Sequence, residues 1–127
     1  MKTVETKKAP SAIGPYSQAI ISGNYVFTSG QIPLDPASGD LIEGGIAEQT
    51  EQVIKNLSAV LEAADTGLEN AVKTTCFLKN IADFAEFNAV YEKYFPNKPA
   101  RSCIEISALP KGALVEIEVV AAIICSQ

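Results

Sequence analysis

An α+β fold, built as one domain over residues 1–127, is what this sequence predicts, and three observations carry the prediction. Short segments of alternating apolar and polar residues are interleaved with two stretches of helical spacing. No repeat, linker or low-complexity stretch divides the chain. Its 127 residues, 47% hydrophobic and 20% charged, suffice for one core and leave no room for a second domain.

The elements follow in chain order. Thr3 to Thr6 reads as a weak strand. Ala19–Ser22 and Tyr25–Ser29 flank Gly23-Asn24, a two-residue signal for a hairpin turn. Pro33, Pro36, Ser38 and Gly39 make a loop. Ile46, Thr50, Val53, Ile54, Leu57, Val60, Leu61 and Ala64 then recur at helical spacing, and Gly67 is the predicted stop. Val72 to Leu78 alternates as a strand. Asp83 with Glu86 resembles a capping box for a second helix, whose stripe of Phe84, Phe87, Tyr91 and Tyr94 is expected in the core and which stops before Pro96. Two strands close the chain, Ala100 to Ile106 and Val115 to Ile123, separated by Pro110-Lys111-Gly112.

Composition excludes much chemistry. With no histidine, Ser-His-Asp and Cys-His pairs, His-ligated zinc and an imidazole base are all ruled out. Cys76, Cys103 and Cys125 lie 27 and 22 residues apart, which is neither a metal-ligand spacing nor an even-numbered disulfide framework. Reduced thiols in the cytoplasm are the expectation, since Met1–Pro10 has no apolar stretch of signal-peptide length. Ala9–Leu34 carries no charge over 26 residues, yet prolines, glycines and amides interrupt it too often for a membrane span; cover by another subunit is the reading it suggests. A net charge of −5 with nine scattered lysines argues against a nucleic-acid footprint.

The last third concentrates functional groups. Strand alternation sorts Ser102, Ile104 and Ile106 from Arg101, Cys103 and Glu105, and sorts Val115, Ile117, Val119, Ala121 and Ile123 from Glu116 and Glu118. The apolar set of each strand is expected under the helices. The opposite sets, with an arginine, a thiol and three carboxylates, suit a subunit interface. Arg101 is the only arginine in the chain, and its planar fork either pairs with one of the 15 acids or holds a carboxylate bidentately. In a tight hairpin around Lys111, Glu116 would face Ile106, leaving roughly 17 Å to Arg101. Either the two strands are not neighbours, or a site using both residues comes from different chains. Cys103 is a poor nucleophile, because no histidine activates it and Glu105 and Glu116, if close, would raise its pKa. Cys76 and Cys125 read as small core or terminal residues.

Several of these segments together resemble the RidA family, also called YjgF. The C-terminal signature is Pro99-Ala100-Arg101-Ser102-Cys103-Ile104-Glu105-Ile106 with Leu109-Pro110-Lys111 and Val115-Glu116-Ile117-Glu118. Two N-terminal motifs are Ala12-Ile13-Gly14-Pro15-Tyr16-Ser17-Gln18 and Thr28-Ser29-Gly30-Gln31-Ile32-Pro33, and Gln49-Thr50 to Leu57 is similar to the family's first helix. The resemblance runs essentially end to end; one departure is Ala108, where many relatives carry arginine.

The resemblance implies a chorismate mutase-like fold, a mixed sheet with two helices on one face, forming a homotrimer whose sheets face inward and whose clefts lie between subunits. It implies hydrolysis of 2-imino and 2-enamino acids, released by pyridoxal-phosphate enzymes, to 2-oxo acids and ammonia, with no cofactor and no metal. By match to the motifs, Arg101 holds the substrate carboxylate and Glu116 activates water and handles the amine proton. Tyr16 places its hydroxyl against substrate or water, and Ser29 and Gly30 bring a backbone carbonyl to the imine nitrogen. The Cys103 amide contacts the carboxylate and Asn88 is a support residue. A non-catalytic carboxylate-binding or holdase-like protein of the same fold is the alternative, and an RNA-directed role is disfavoured by charge and missing histidine.

Overall fold

The computed structural model describes residues 1–124; Cys125 lies outside the described residues. Eight regular elements organise it: β1 (Lys2–Val4), β2 (Ala19–Ser22), β3 (Tyr25–Thr28), α1 (Ile46–Ala63), β4 (Ala71–Leu78), α2 (Phe84–Tyr94), β5 (Ala100–Glu105) and β6 (Val115–Ala122). The strands form one sheet in the order β1-β2-β3-β6-β4-β5. All neighbours are antiparallel except β4 and β5, which run parallel and are joined through α2. The β2–β3 hairpin turns at Gly23-Asn24, as the sequence predicts.

One face of the sheet is covered and the other is open. Val26 of β3, Cys76 and Leu78 of β4, and Val115, Ile117, Val119 and Ala121 of β6 are buried with Val53, Ile54, Leu57, Val60 and Leu61 of α1 and Phe87 and Tyr91 of α2. Period 2 on the strands and period 3.6 on the helices deliver these residues to one layer. On the uncovered face Phe27 is paired with Val120, Val120 with Lys73, and Phe77 with both Glu116 and Ile104; Phe27, Tyr25 and Ile104 are about half exposed.

The polar stitches of the fold are buried amides. Gln18 donates from Nε2 to the carbonyls of Thr6 (3.0 Å) and Pro10 (2.8 Å) and accepts from the Thr6 N–H (2.7 Å). The first strand therefore stops at Val4 rather than running to Thr6, because the Thr6 backbone is taken by a side chain. Asn56 of α1 donates to the carbonyls of Ile32 (3.2 Å) and Leu34 (3.0 Å), and Gln49 accepts from the Leu114 N–H (2.8 Å). These fasten the loops after β3 and before β6 onto α1.

Two helix boundaries differ from expectation. Helix α1 is closed by Asp65, at φ 62°, not by Gly67, whose φ of −158° is extended. The N–H groups of Thr66 and Asp65 reach the carbonyls of Leu61 and Glu62, both at 3.0 Å, the paired bonds of a Schellman motif. Asp83 makes no side-chain cap on α2: a single 3-10 turn, Ile81–Asp83, runs directly into the helix, and with ψ near 2° Asp83 is not in the extended geometry a cap needs. Within α2, Phe87 and Tyr91 are buried as expected, whereas Phe84 is 37% exposed and Tyr94 only partly buried.

Candidate active site

Strand β5 lies at the sheet edge, and its register pairs Arg101 with Thr74 and Cys103 with Cys76. Thr74 and Cys76 are fully buried beneath the helices, so Arg101 and Cys103 point to the helix-covered face. The expectation that this pair turns away from the helices is corrected: Ala100, Ser102 and Ile104 alternate with them on the exposed side, and Glu105 at the strand end is exposed as well. The physical reason is the arginine's seat on α2. Arg101 Nη1 donates to Asn88 Oδ1 at 2.7 Å, and its Cζ lies 4.8 Å from the Tyr91 ring centre, 5.4 Å from that of Phe84 and 5.9 Å from that of Phe87. Aromatic faces attract the cation without neutralising it, and Asn88 is uncharged. The guanidinium thus keeps its charge and further donors for an anion. Arg101, Asn88 and Tyr91 line a cleft of about 360 Å³.

Cys103 sits two residues along on the same face. Its thiol is pushed up by burial, an effect the nearby Arg101 partly offsets. The direction matches expectation but the cause differs, since Glu116 lies on the other face and Glu105 accepts from the Ile81 N–H at 2.9 Å. A protonated thiol is a weak nucleophile. The backbone is more useful: Ile106 N–H donates to the Leu78 carbonyl at 3.0 Å, so by strand alternation the N–H groups of Cys103 and Arg101 face the open edge of the sheet.

Glu116 occupies the opposite face. Strand β4 separates β5 from β6, so the two strands are not neighbours, and Glu116 pairs with Phe77 while Arg101 pairs with Thr74. Its carboxyl packs against Gly30, held beside β6 by the Gln31–Ile117 bridge. A Cβ at position 30 would stand 2.8 Å from the Glu116 carboxyl carbon, so only glycine permits this approach. Burial first, and Glu118 second, push the Glu116 carboxyl above the usual carboxylate range. Ser29 is tied to the preceding loop, its hydroxyl donating to the Ser17 carbonyl at 2.6 Å and its N–H to that of Gln18 at 2.9 Å. Tyr16 follows the Gly14-Pro15 turn, with φ of 128° at Gly14, and is 52% exposed. It lines a second cleft, of about 530 Å³, with Thr6, Lys7 and Ser17.

The candidate residues fall into two groups. Arg101, Asn88 and Cys103 form one on the helix-covered face near the β5 edge; Ser29, Gly30 and Glu116 form the other on the open face, with Tyr16 reached through the Ser17–Ser29 bond. One chain does not bring Arg101 and Glu116 together. The sequence reading missed that Phe84 and Tyr91 seat the arginine; the signal was an aromatic stripe preceding the only arginine. It also missed Gln18 as the clamp behind Tyr16. Among the described residues, no group of three His, Cys, Asp or Glu side chains lies close enough to hold a metal ion.

The family model described as Endoribonuclease L-PSP matches residues 6–123. This chain belongs to that family. Relatives in the L-PSP family, to which the RidA and YjgF names also attach, carry varied descriptions. A RutC family protein of Pyrococcus abyssi is 50% identical over 94% of this chain and 95% of its own. The human protein named 2-iminobutanoate/2-iminopropanoate deaminase is 48% identical over 94% of this chain and 88% of its own. The solved structure of a Yersinia pestis member of the conserved Rid family superposes with a TM-score of 0.92 at 54% identity, covering 95% of this chain and 98% of that one. The α+β mixed sheet with two helices on one face is therefore the L-PSP architecture.

Proposed function

We propose that this protein hydrolyses 2-iminobutanoate, 2-iminopropanoate and their enamine tautomers to 2-oxo acids and ammonia, acting as a homotrimer in the cytoplasm without a cofactor. The observation that carries the reading is the guanidinium of Arg101, which forms no ion pair among the described residues and is seated on aromatic rings and a neutral amide where a small carboxylate can reach it. Identity of 48% to a relative named for this activity supports it. The open, half-apolar sheet face supports assembly, which also lets the Glu116 half-site of one copy meet the Arg101 half-site of another.

In this reading Arg101 and the Cys103 amide hold the substrate carboxylate, and the Gly30 carbonyl accepts from the imine N–H. Glu116 takes a proton from water as the oxygen attacks C2 of the N-protonated imine, giving a neutral carbinolamine. It passes that proton to nitrogen, and as the C–N bond breaks and ammonia leaves it takes up the C2 hydroxyl proton, so that the oxygen becomes the 2-oxo carbonyl; loss of that proton to solvent restores the carboxylate. Tyr16 orients the water. Imines hydrolyse readily, so orientation and charge placement suffice, and neither demands histidine. The net charge of −5 favours this over cleavage of RNA.

The test is the decay of freshly generated 2-iminobutanoate, trapped with semicarbazide, with wild type and Arg101→Ala side by side. Acceleration by wild type alone supports the proposal. Binding of 2-oxobutanoate without acceleration would replace it with the non-catalytic carboxylate-binding reading.

A further inference from the structure

Tyr91 is held by four neighbours. Its ring stacks on Phe95, with centres 4.4 Å apart and planes inclined by 25°, and meets Phe87 at 5.6 Å. Its hydroxyl is 2.7 Å from that of Thr74, a fully buried residue in the middle of β4. On its remaining side the Arg101 Cζ stands 4.8 Å from the ring centre, nearer than to either phenylalanine. Thr74 is also the register partner of Arg101 across the β4–β5 ladder. One buried threonine thus fixes both the strand position from which Arg101 departs and the ring on which its guanidinium lands.

We infer that the Thr74–Tyr91 hydroxyl pair is the positioning device for Arg101, orienting the guanidinium plane so that its free donors face an incoming carboxylate. The inference deepens the proposed function and rests on it only for the identity of the ligand. A guanidinium is a planar fork, so its use for bidentate binding depends on the angle at which it is presented, not merely on its charge. Asn88 constrains Nη1 alone. A ring anchored at its hydroxyl end adds the plane. Without the Thr74 contact the phenol is free to tilt, and the arginine tilts with it. Phenylalanine would serve at this position for packing alone; the tyrosine adds a hydroxyl, and its partner is a threonine where the rest of the buried β4 face is Cys76 and Leu78.

Because Arg101 is the only arginine, a 1H–15N spectrum contains a single arginine Nε–H signal, assigned without further work. The experiment compares wild type with Tyr91→Phe, Thr74→Val, Thr74→Ser and the Tyr91→Phe/Thr74→Val double variant. It reads that signal, the Kd for 2-oxobutanoate, and kcat and KM for 2-iminobutanoate. The expected result is an Nε–H signal that shifts and broadens in Tyr91→Phe and Thr74→Val and is restored in Thr74→Ser. Kd and KM rise by about threefold to tenfold, the range of one lost hydrogen bond, while kcat changes by less than about twofold. The double variant matches the single ones rather than adding to them. An Arg101 signal and a Kd that stay at wild-type values in folded Tyr91→Phe and Thr74→Val overturn the inference, whatever the melting temperature does. A wild type without turnover, in which the variants still loosen the Arg101 signal, sinks the deaminase reading and leaves the positioning role standing.

Discussion

At the scale of single residues, charge placement decides the chemistry. Arg101→Ala is expected to lower kcat/KM at least about 100-fold while leaving assembly unchanged, and Arg101→Lys to recover little, because a point charge replaces a fork. Size-exclusion elution with turnover checks both. Glu116 has a different signature. Its carboxyl titrates above the ordinary range, so turnover that needs the carboxylate fades on the acid side with a midpoint above that of an exposed glutamate. The folded state binds this proton more tightly than the unfolded chain does. The group therefore contributes most to stability below its unfolded pKa, and that contribution is lost as pH rises through the folded one. Glu116→Gln should accordingly melt higher than wild type at pH 7, a gap that narrows toward pH 4, while losing turnover. Gly30→Ala should displace the Glu116 carboxyl and lower kcat more than it raises KM. Sequence made Arg101 and Glu116 conspicuous through rarity and alternation. Alternation put Glu116 on the face away from the helices, where it lies, but put Arg101 there too, because Ile104 and Ile106 make the wrong side of β5 look like core, and only the pairing with Thr74 settles it.

At the scale of elements, boundaries were legible where backbone chemistry is local and obscure where a distant side chain intervenes. The Gly23-Asn24 hairpin and the start of α1 at Ile46 follow from neighbouring residues alone. The end of β1 depends on Gln18, 12 residues from Thr6, and the start of α2 on Glu105, 24 residues from Ile81. No window along the chain contains those partners. The α1 terminus offers a direct test. Asp65 occupies the left-handed conformation with a Cβ, so Asp65→Gly relieves strain, less what glycine adds to unfolded-state entropy. A gain of about 0.5 kcal/mol is expected, measured by urea denaturation. Gln18→Ala should act oppositely, costing about 2 kcal/mol by orphaning the part-buried Thr6 and buried Pro10 backbone groups.

At the scale of the whole molecule, a six-stranded sheet with helices on one side leaves the other side without a layer. The charge-free stretch to Leu34 anticipated this, for it supplies Ile20, Tyr25 and Phe27 to the uncovered face or its rim. Sedimentation of wild type should give three times the chain mass of 13.5 kDa. Phe27→Glu, about half exposed in the single chain, should yield a folded monomer without turnover. Such a monomer that still hydrolyses 2-iminobutanoate would show that one chain carries a whole site.

The placement of Arg101 and Glu116 on opposite faces of one sheet has a genetic consequence. In the proposed assembly, a copy lacking the arginine would still offer its carboxylate to its neighbour, and a copy lacking the carboxylate would still offer its arginine. Two dead alleles, Arg101→Ala and Glu116→Gln, should therefore rescue each other when expressed in the same cell. At equal dosage, random assembly makes roughly a quarter of the interfaces native.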